Sequence, residues 1–222
     1  MSPELLDYLE EMFAPGDEEL QALTAAAKEF GMPANWEITH DVGRLFQVFC
    51  RAVGARRVLE FGTLAGHSAL WLARALPADG QVVSIEFNPD YAAFARAQLA
   101  KTRDGYKVDV RIGAAWDSLP ALEAEVHDTG RRYDVIFLDA DKARYPDFLE
   151  WSERVLRPGG MVLADNVLRC GSWNGQTLLD PVSDDPRILA MRRFNATLAH
   201  HPRFTAMIVP IRAGIAVGVY TP

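Results

Sequence analysis

Tyr133-Asp134-Val135-Ile136-Phe137-Leu138-Asp139-Ala140-Asp141-Lys142 and Gly160-Met161-Val162-Leu163-Ala164-Asp165-Asn166 are two short apolar runs that each end in acid. Runs of this length and β-branched content, bounded by turn residues, read as buried strands of a parallel sheet. Ligands of such sheets bind beyond the carboxyl ends of the strands. The reading therefore brings Asp139, Asp165 and Asn166 to one sheet edge with a lysine beside them. Two carboxylates and an amide suit a hard divalent cation, and a base next to it suits chemistry on an acidified hydroxyl.

Outward from these runs, strand and helix alternate. Strands are expected at 58–61, 81–85, 107–112, 133–138 and 160–164, with helices at 68–76, after Asn88-Pro89-Asp90, at 117–126 and at 145–156. A helix at 185–200 precedes two last strands, 204–210 and 214–220. Only Ile211-Arg212-Ala213 separates that pair, too little for a crossover, so the two must be antiparallel. The fold class is α/β, a doubly wound, mostly parallel seven-stranded sheet with an antiparallel C-terminal strand. Helices at 3–13, 17–30 and 40–53 come first. No linker sets them apart, so residues 1–222 read as one domain with 1–54 as a helical cap.

Composition narrows the function. Of 222 residues, 49% are hydrophobic and 24% charged, and 23 Lys and Arg against 30 Asp and Glu give a net charge of −7. An acidic chain without a basic stripe is a poor nucleic-acid binder. No apolar run is long enough to span a bilayer, and the acidic start Met1-Ser2-Pro3-Glu4 lacks a signal-peptide pattern. Cys50 and Cys170 form no framework. A cytoplasmic location and no membrane partner are the expectation.

The first βα turn, Glu60-Phe61-Gly62-Thr63-Leu64-Ala65-Gly66-His67-Ser68, offers a glycine-supported approach and a helix N-terminus to a negatively charged ligand group. Glu86 ends the second strand 24 residues after Gly62. An acid there accepts the hydroxyls of an unphosphorylated ribose; a surface glutamate and a purely structural turn are the bland alternatives. The G-x-G-x-x-G fingerprint is absent, which weakens a nicotinamide oxidoreductase. A cofactor-binding protein without catalysis is a third reading.

Together, Leu59 to Ser68, Asp139-Ala140-Asp141-Lys142 and Asp165-Asn166-Val167-Leu168 resemble the cation-dependent, S-adenosylmethionine-using O-methyltransferases, the catechol and caffeoyl-CoA family, over a stretch from Trp36 to the C-terminus. The resemblance implies a Rossmann-like methyltransferase fold and a small aromatic acceptor with vicinal hydroxyls. It assigns Glu60 and Gly62 to the methionine part of the cofactor, with Gly66 in the same turn, Ser68 to its carboxylate and Glu86 to the ribose. Ala115 and Trp116 border the adenine, and the backbone of Ile38 and Thr39 closes over the cofactor. Asp139, Asp165 and Asn166 become ligands of a Mg²⁺-like ion, with Asp139 also facing the cofactor and Lys142 the catalytic base. Homodimers are common among relatives, which makes the apolar N-terminal third a candidate interface.

The chain departs from the family at Arg44, at Arg212-Ala213-Gly214 and in the 171–183 loop. Trp36, Arg169 and Trp173 are candidate walls of an acceptor pocket. Cys170 is expected as a free thiol. Trp116 either stacks on the adenine or covers its pocket. His40, His127, His200 and His201 are expected at the surface and His67 as a packing residue.

Overall fold

The computed structural model describes residues 3–33, 36–168, 178–179 and 182–222. Its helices are α1 (Pro3–Phe13), α2 (Glu18–Phe30), α3 (His40–Ala52), α4 (His67–Ala75), α5 (Pro89–Leu99), α6 (Ala115–Thr129), α7 (Tyr145–Val155) and α8 (Pro186–Ala199). The strands are β1 (Arg57–Phe61), β2 (Gln81–Glu86), β3 (Val108–Ile112), β4 (Tyr133–Leu138), β5 (Leu156–Ala164), β6 (Phe204–Val209) and β7 (Ile215–Tyr220). They form one seven-stranded sheet in the order β3-β2-β1-β4-β5-β7-β6. β7 runs antiparallel to both β5 and β6, and the short last connection requires this of the β6–β7 pair. Its residues are almost continuously buried, whereas exposed and covered positions intermix along β6. β7 therefore sits inside the sheet and β6 at its edge. Arg169, Cys170, Trp173 and most of the 171–183 loop lie outside the described residues.

The chain packs as two compact units, Met1–Arg57 with Gly62–Ala114, and Val58–Phe61 with Ala115–Pro222. The 1–54 helices belong to the first. There Asp17 caps α2 through Leu20 N (3.0 Å) and pairs with Arg74 of α4 at 2.8 Å, while Glu19 holds the same guanidinium at 2.6 Å. Asn88 caps α5 through Asp90 N (2.9 Å), with Pro89 in the first turn, as expected. Lys107 ends the short turn before β3 rather than opening the strand. Its ammonium is buried and donates to Ala73 O (3.1 Å) in the last turn of α4, to Leu76 O (3.0 Å) just past the helix and to Asp104 (2.7 Å). A cation at a helix C-terminus meets the negative end of its dipole.

In the second unit β1, β4 and β5 are parallel and in register, Phe61 opposite Leu138 and Leu138 opposite Ala164. β5 begins earlier than the Pro158-Gly159-Gly160 stop suggests. Leu156 already pairs with Tyr133, and the register then shifts before Met161 meets Val135. Gly159 sits at φ +73°, and a Cβ on Gly160 would come within 2.9 Å of Asp134 O. The Pro-Gly-Gly segment thus makes a bulge inside the strand rather than a break before it. No helix among the described residues is long and apolar enough to cross a membrane.

His67 packs as expected, but His40 and His201 are not surface residues. His201 is partly buried against Glu153 (3.2 Å), and His40 stacks on His67 with centroids 5.6 Å apart. The buried His67 ring has no hydrogen-bond partner at either nitrogen among the described residues. Burial pushes its pKa down to about 4, with His40 and Arg74 adding to the shift and Asp17 opposing it. The folded value is below the unfolded one, so this contribution to stability is full above pH 6.5 and is lost as pH falls towards 4. The loss is at most about 1.4 kcal/mol per pH unit. Urea unfolding at pH 7, 6 and 5 is expected to show that decline in the wild type and a flatter one in His67→Phe. Equal slopes would contradict it.

Candidate active site

The first group of candidate residues lies in the first unit. Gly62 (φ +99°) and Gly66 (φ +92°) take left-handed conformations that a side chain would strain. Gly62 N donates to Ile85 O (3.0 Å) and Gly66 N to Thr63 O (2.8 Å). Gly66 caps α4, and Ser68 is buried in the helix's first turn, where backbone N–H groups lack intrahelical acceptors. Glu86 is no surface glutamate. It is buried, and its Oε2 accepts from Thr63 N (3.1 Å) and Leu64 N (2.8 Å) while Oε1 accepts from Asn88 N (2.9 Å). The carboxylate holds the glycine turn to the end of β2, and its oxygens keep lone pairs for further donors. Ile38 is buried in the same unit, just before Thr39 at the start of α3.

The second group lies in the second unit. Because Leu138 pairs with Ala164, the next residues, Asp139 and Asp165, leave the sheet side by side. Asp139 N donates to Phe61 O (2.9 Å) and Asp165 N to Leu138 O (3.1 Å). Glu60, fully buried, faces Phe137 across β1 and β4. In D-A-D-K the two acids divide the work. Asp141 caps the short turn 142–144 by accepting from Ala143 N (3.1 Å), and Asp139 Oδ1 accepts from Lys142 Nζ at 2.5 Å. Asn166 takes a left-handed φ of +63°, which asparagine tolerates. The chain beyond it is pinned, since Val167 N donates to Gly214 O (3.1 Å), Leu168 N to Ala213 O (2.9 Å) and Asn195 Nδ2 to Val167 O (2.8 Å). A Cβ on Gly214 would collide with Leu168 at 2.5 Å, so the glycine of Arg212-Ala213-Gly214 is required.

Burial first, and then the charge of Asp139, push the Asp165 carboxyl well above the ordinary carboxylate range, while Lys142 and the Asn166 N–H pull it back. Two strand-end carboxylates that repel each other, with an amide oxygen next in sequence, fit a hard cation that keeps part of its water shell. No cluster of three or more His, Cys, Asp or Glu suited to a metal occurs among the described residues.

Trp116, with Ala115, lies in the first turn of α6, which extends beyond 117–126 at both ends. The tryptophan is 40% exposed, and its ring meets Phe148 edge-on and carries the Arg144 guanidinium 4.5 Å from its centroid. It lines an open groove of about 520 Å³ with Leu119, Pro120, Glu150 and Trp151. Arg144 and Tyr145 escaped the sequence reading. Their only signal was position, two and three residues after Lys142. Trp36 is 62% exposed.

A family model described as O-methyltransferase matches residues 11–219. The chain belongs to the O-methyltransferase family. The enzyme is 36% identical over 202 residues to a catechol O-methyltransferase of Niastella koreensis, covering 91% of this chain and 87% of that one. A Bacillus cereus O-methyltransferase solved in complex with SAH superposes with a TM-score of 0.88 at 32% identity, covering 98% and 97% of the two chains. The O-methyltransferase TomG of Streptomyces achromogenes, solved with SAM, gives 0.87 at 31% identity and covers 99% and 96%. These matches make the protein an S-adenosylmethionine-dependent enzyme and remove the oxidoreductase and the non-catalytic readings.

Glu86→Gln would set an amide against three backbone donors in the O-methyltransferase. A loss of about 1–3 kcal/mol in unfolding free energy is expected by denaturant titration; an unchanged midpoint would show that the carboxylate does not brace the turn.

Proposed function

We propose that this O-methyltransferase moves the methyl group of S-adenosylmethionine to one hydroxyl of a small aromatic with vicinal hydroxyls, with the aid of a divalent, Mg²⁺-like cation. The observation that carries the reading is the in-register exit of Asp139 and Asp165 from β4 and β5. Asn166 is the third ligand. A cation held by these three supplies positive charge beside the acceptor oxygen and lowers the cost of its ionisation. Two protein carboxylates and an amide would hold such an ion without filling an oxygen shell of six, and the name of the Niastella relative agrees with a catechol-like acceptor.

The chain's own residues do the rest. Lys142, held by Asp139 Oδ1 (2.5 Å) and Tyr145 Oη (2.7 Å), receives the hydroxyl proton at Nζ once it has released its own to solvent. The acceptor oxygen then bonds to the methyl carbon as the carbon–sulfur bond breaks, and the electron pair stays on sulfur. Glu86 accepts from the ribose hydroxyls of the methyl donor, and the first turn of α4 with Ser68 takes its carboxylate. Glu60, Gly62 and Gly66 border its methionine part, Asp139 its amino group, and Ala115 and Trp116 its adenine. The backbone at Ile38 and Thr39 covers it.

A screen of dihydroxylated aromatics with labelled methyl donor tests the reading. Turnover is expected with Mg²⁺ and is expected to vanish with chelator; full turnover in metal-free buffer would refute the cation. Lys142→Ala is expected to lower kcat by about 10²–10⁴-fold while calorimetry shows donor affinity within twofold of wild type. A matching loss of donor affinity would reassign Lys142 to binding.

A further inference from the structure

The Tyr145 hydroxyl meets three polar groups around the two acids, the Lys142 ammonium among them. The side chain is fully buried, and Phe194 meets its ring edge-on at 5.4 Å. Oη lies 2.6 Å from Leu138 O, 3.3 Å from Asp165 O and 2.7 Å from Lys142 Nζ. A phenol has one proton and can accept as well, whereas an ammonium only donates. Lys142 therefore donates to Oη, and the phenolic proton goes to Leu138 O, with Asp165 O the longer alternative. Leu138 O also receives Asp165 N at 3.1 Å. That carbonyl closes β4 one residue before Asp139, and the other belongs to Asp165 itself. A single hydroxyl thus touches the backbone that carries both acids and the head of the candidate base.

We infer that Tyr145 is a positioning residue that fixes the spacing of Asp139, Asp165 and the Lys142 ammonium, and so tunes how tightly the cation is held. The inference rests on the cation reading above. It differs from a purely structural role, in which the hydroxyl satisfies two buried carbonyls and contributes only to stability.

Tyr145→Phe keeps the ring against Phe194 and removes only the hydroxyl. Isothermal titration of the cofactor-free protein with MnCl₂ is expected to show affinity lowered by roughly tenfold or more, the usual effect of losing a group that orients ligands. In turnover assays kcat is expected to fall while KM for S-adenosylmethionine stays within twofold. Phe194→Leu, which loosens the ring and leaves the hydroxyl, is expected to lower Mn²⁺ affinity in the same direction and serves as the second variant. A reduced Tm in Tyr145→Phe with Mn²⁺ affinity within twofold of wild type would overturn the inference alone. Absence of Mn²⁺ binding by the wild-type protein would overturn the cation reading and this inference with it.

Discussion

Two parallel strands in register that end together leave their next residues side by side, and here both are aspartates. β4 and β5 impose that juxtaposition through Leu138 opposite Ala164, and the hydrogen bond from Asp165 N to Leu138 O carries the pairing one step past the sheet. The sheet interior is apolar, so neither carboxylate can turn back into it, and partial burial keeps water from screening one from the other. Burial first, and then the repulsion from Asp139, raise Asp165, and Lys142 only partly offsets them. Such a local conflict is held in place by the folding energy of the strands beneath it. It becomes favourable once a positive charge joins the pair, which is why residues poor for stability can be good for chemistry.

The surroundings act mainly by immobilising the chain. Asp141 caps the turn that presents Lys142, and Asn166 accepts a left-handed conformation. The hairpin between β6 and β7 grips Val167 and Leu168 through the carbonyls of Ala213 and Gly214. In the first unit Glu86 does the same for the glycine turn, donating nothing and accepting from three backbone N–H groups. In both places a side chain named for a ligand is also wired into the backbone. At two of the positions that the sequence marks as departures from the family it resembles, Arg44 lies over Trp71 and bonds Gln47 at 2.8 Å, while Gly214 keeps a close approach to Leu168.

Much of this was legible in the sequence because its signals are local. Apolar runs ending in acid locate β4 and β5, and a three-residue connection forces β6 and β7 to be antiparallel. What escaped depends on distant contacts. Pro158-Gly159-Gly160 looks like a stop, and only the pairing of Leu156 with Tyr133 turns it into a bulge. Glu86 reads as a ribose acid from its position, but its bonds to Thr63 and Leu64 bridge more than twenty residues of sequence. His40 and His201 look like surface histidines until Glu10, His67 and Glu153 close on them. Tyr145 looks like one more apolar position of α7, because nothing in a helical pattern says that its hydroxyl reaches two strand ends.

On the proposed reading, the register of β4 and β5 brings Asp139, Asp165 and Asn166 together around a cation. Anomalous diffraction from crystals grown with saturating MnCl₂ tests it most directly. A manganese peak in contact with both carboxylates and with the Asn166 side-chain oxygen is expected. Manganese bound elsewhere, or no peak beside the two aspartates, would contradict it.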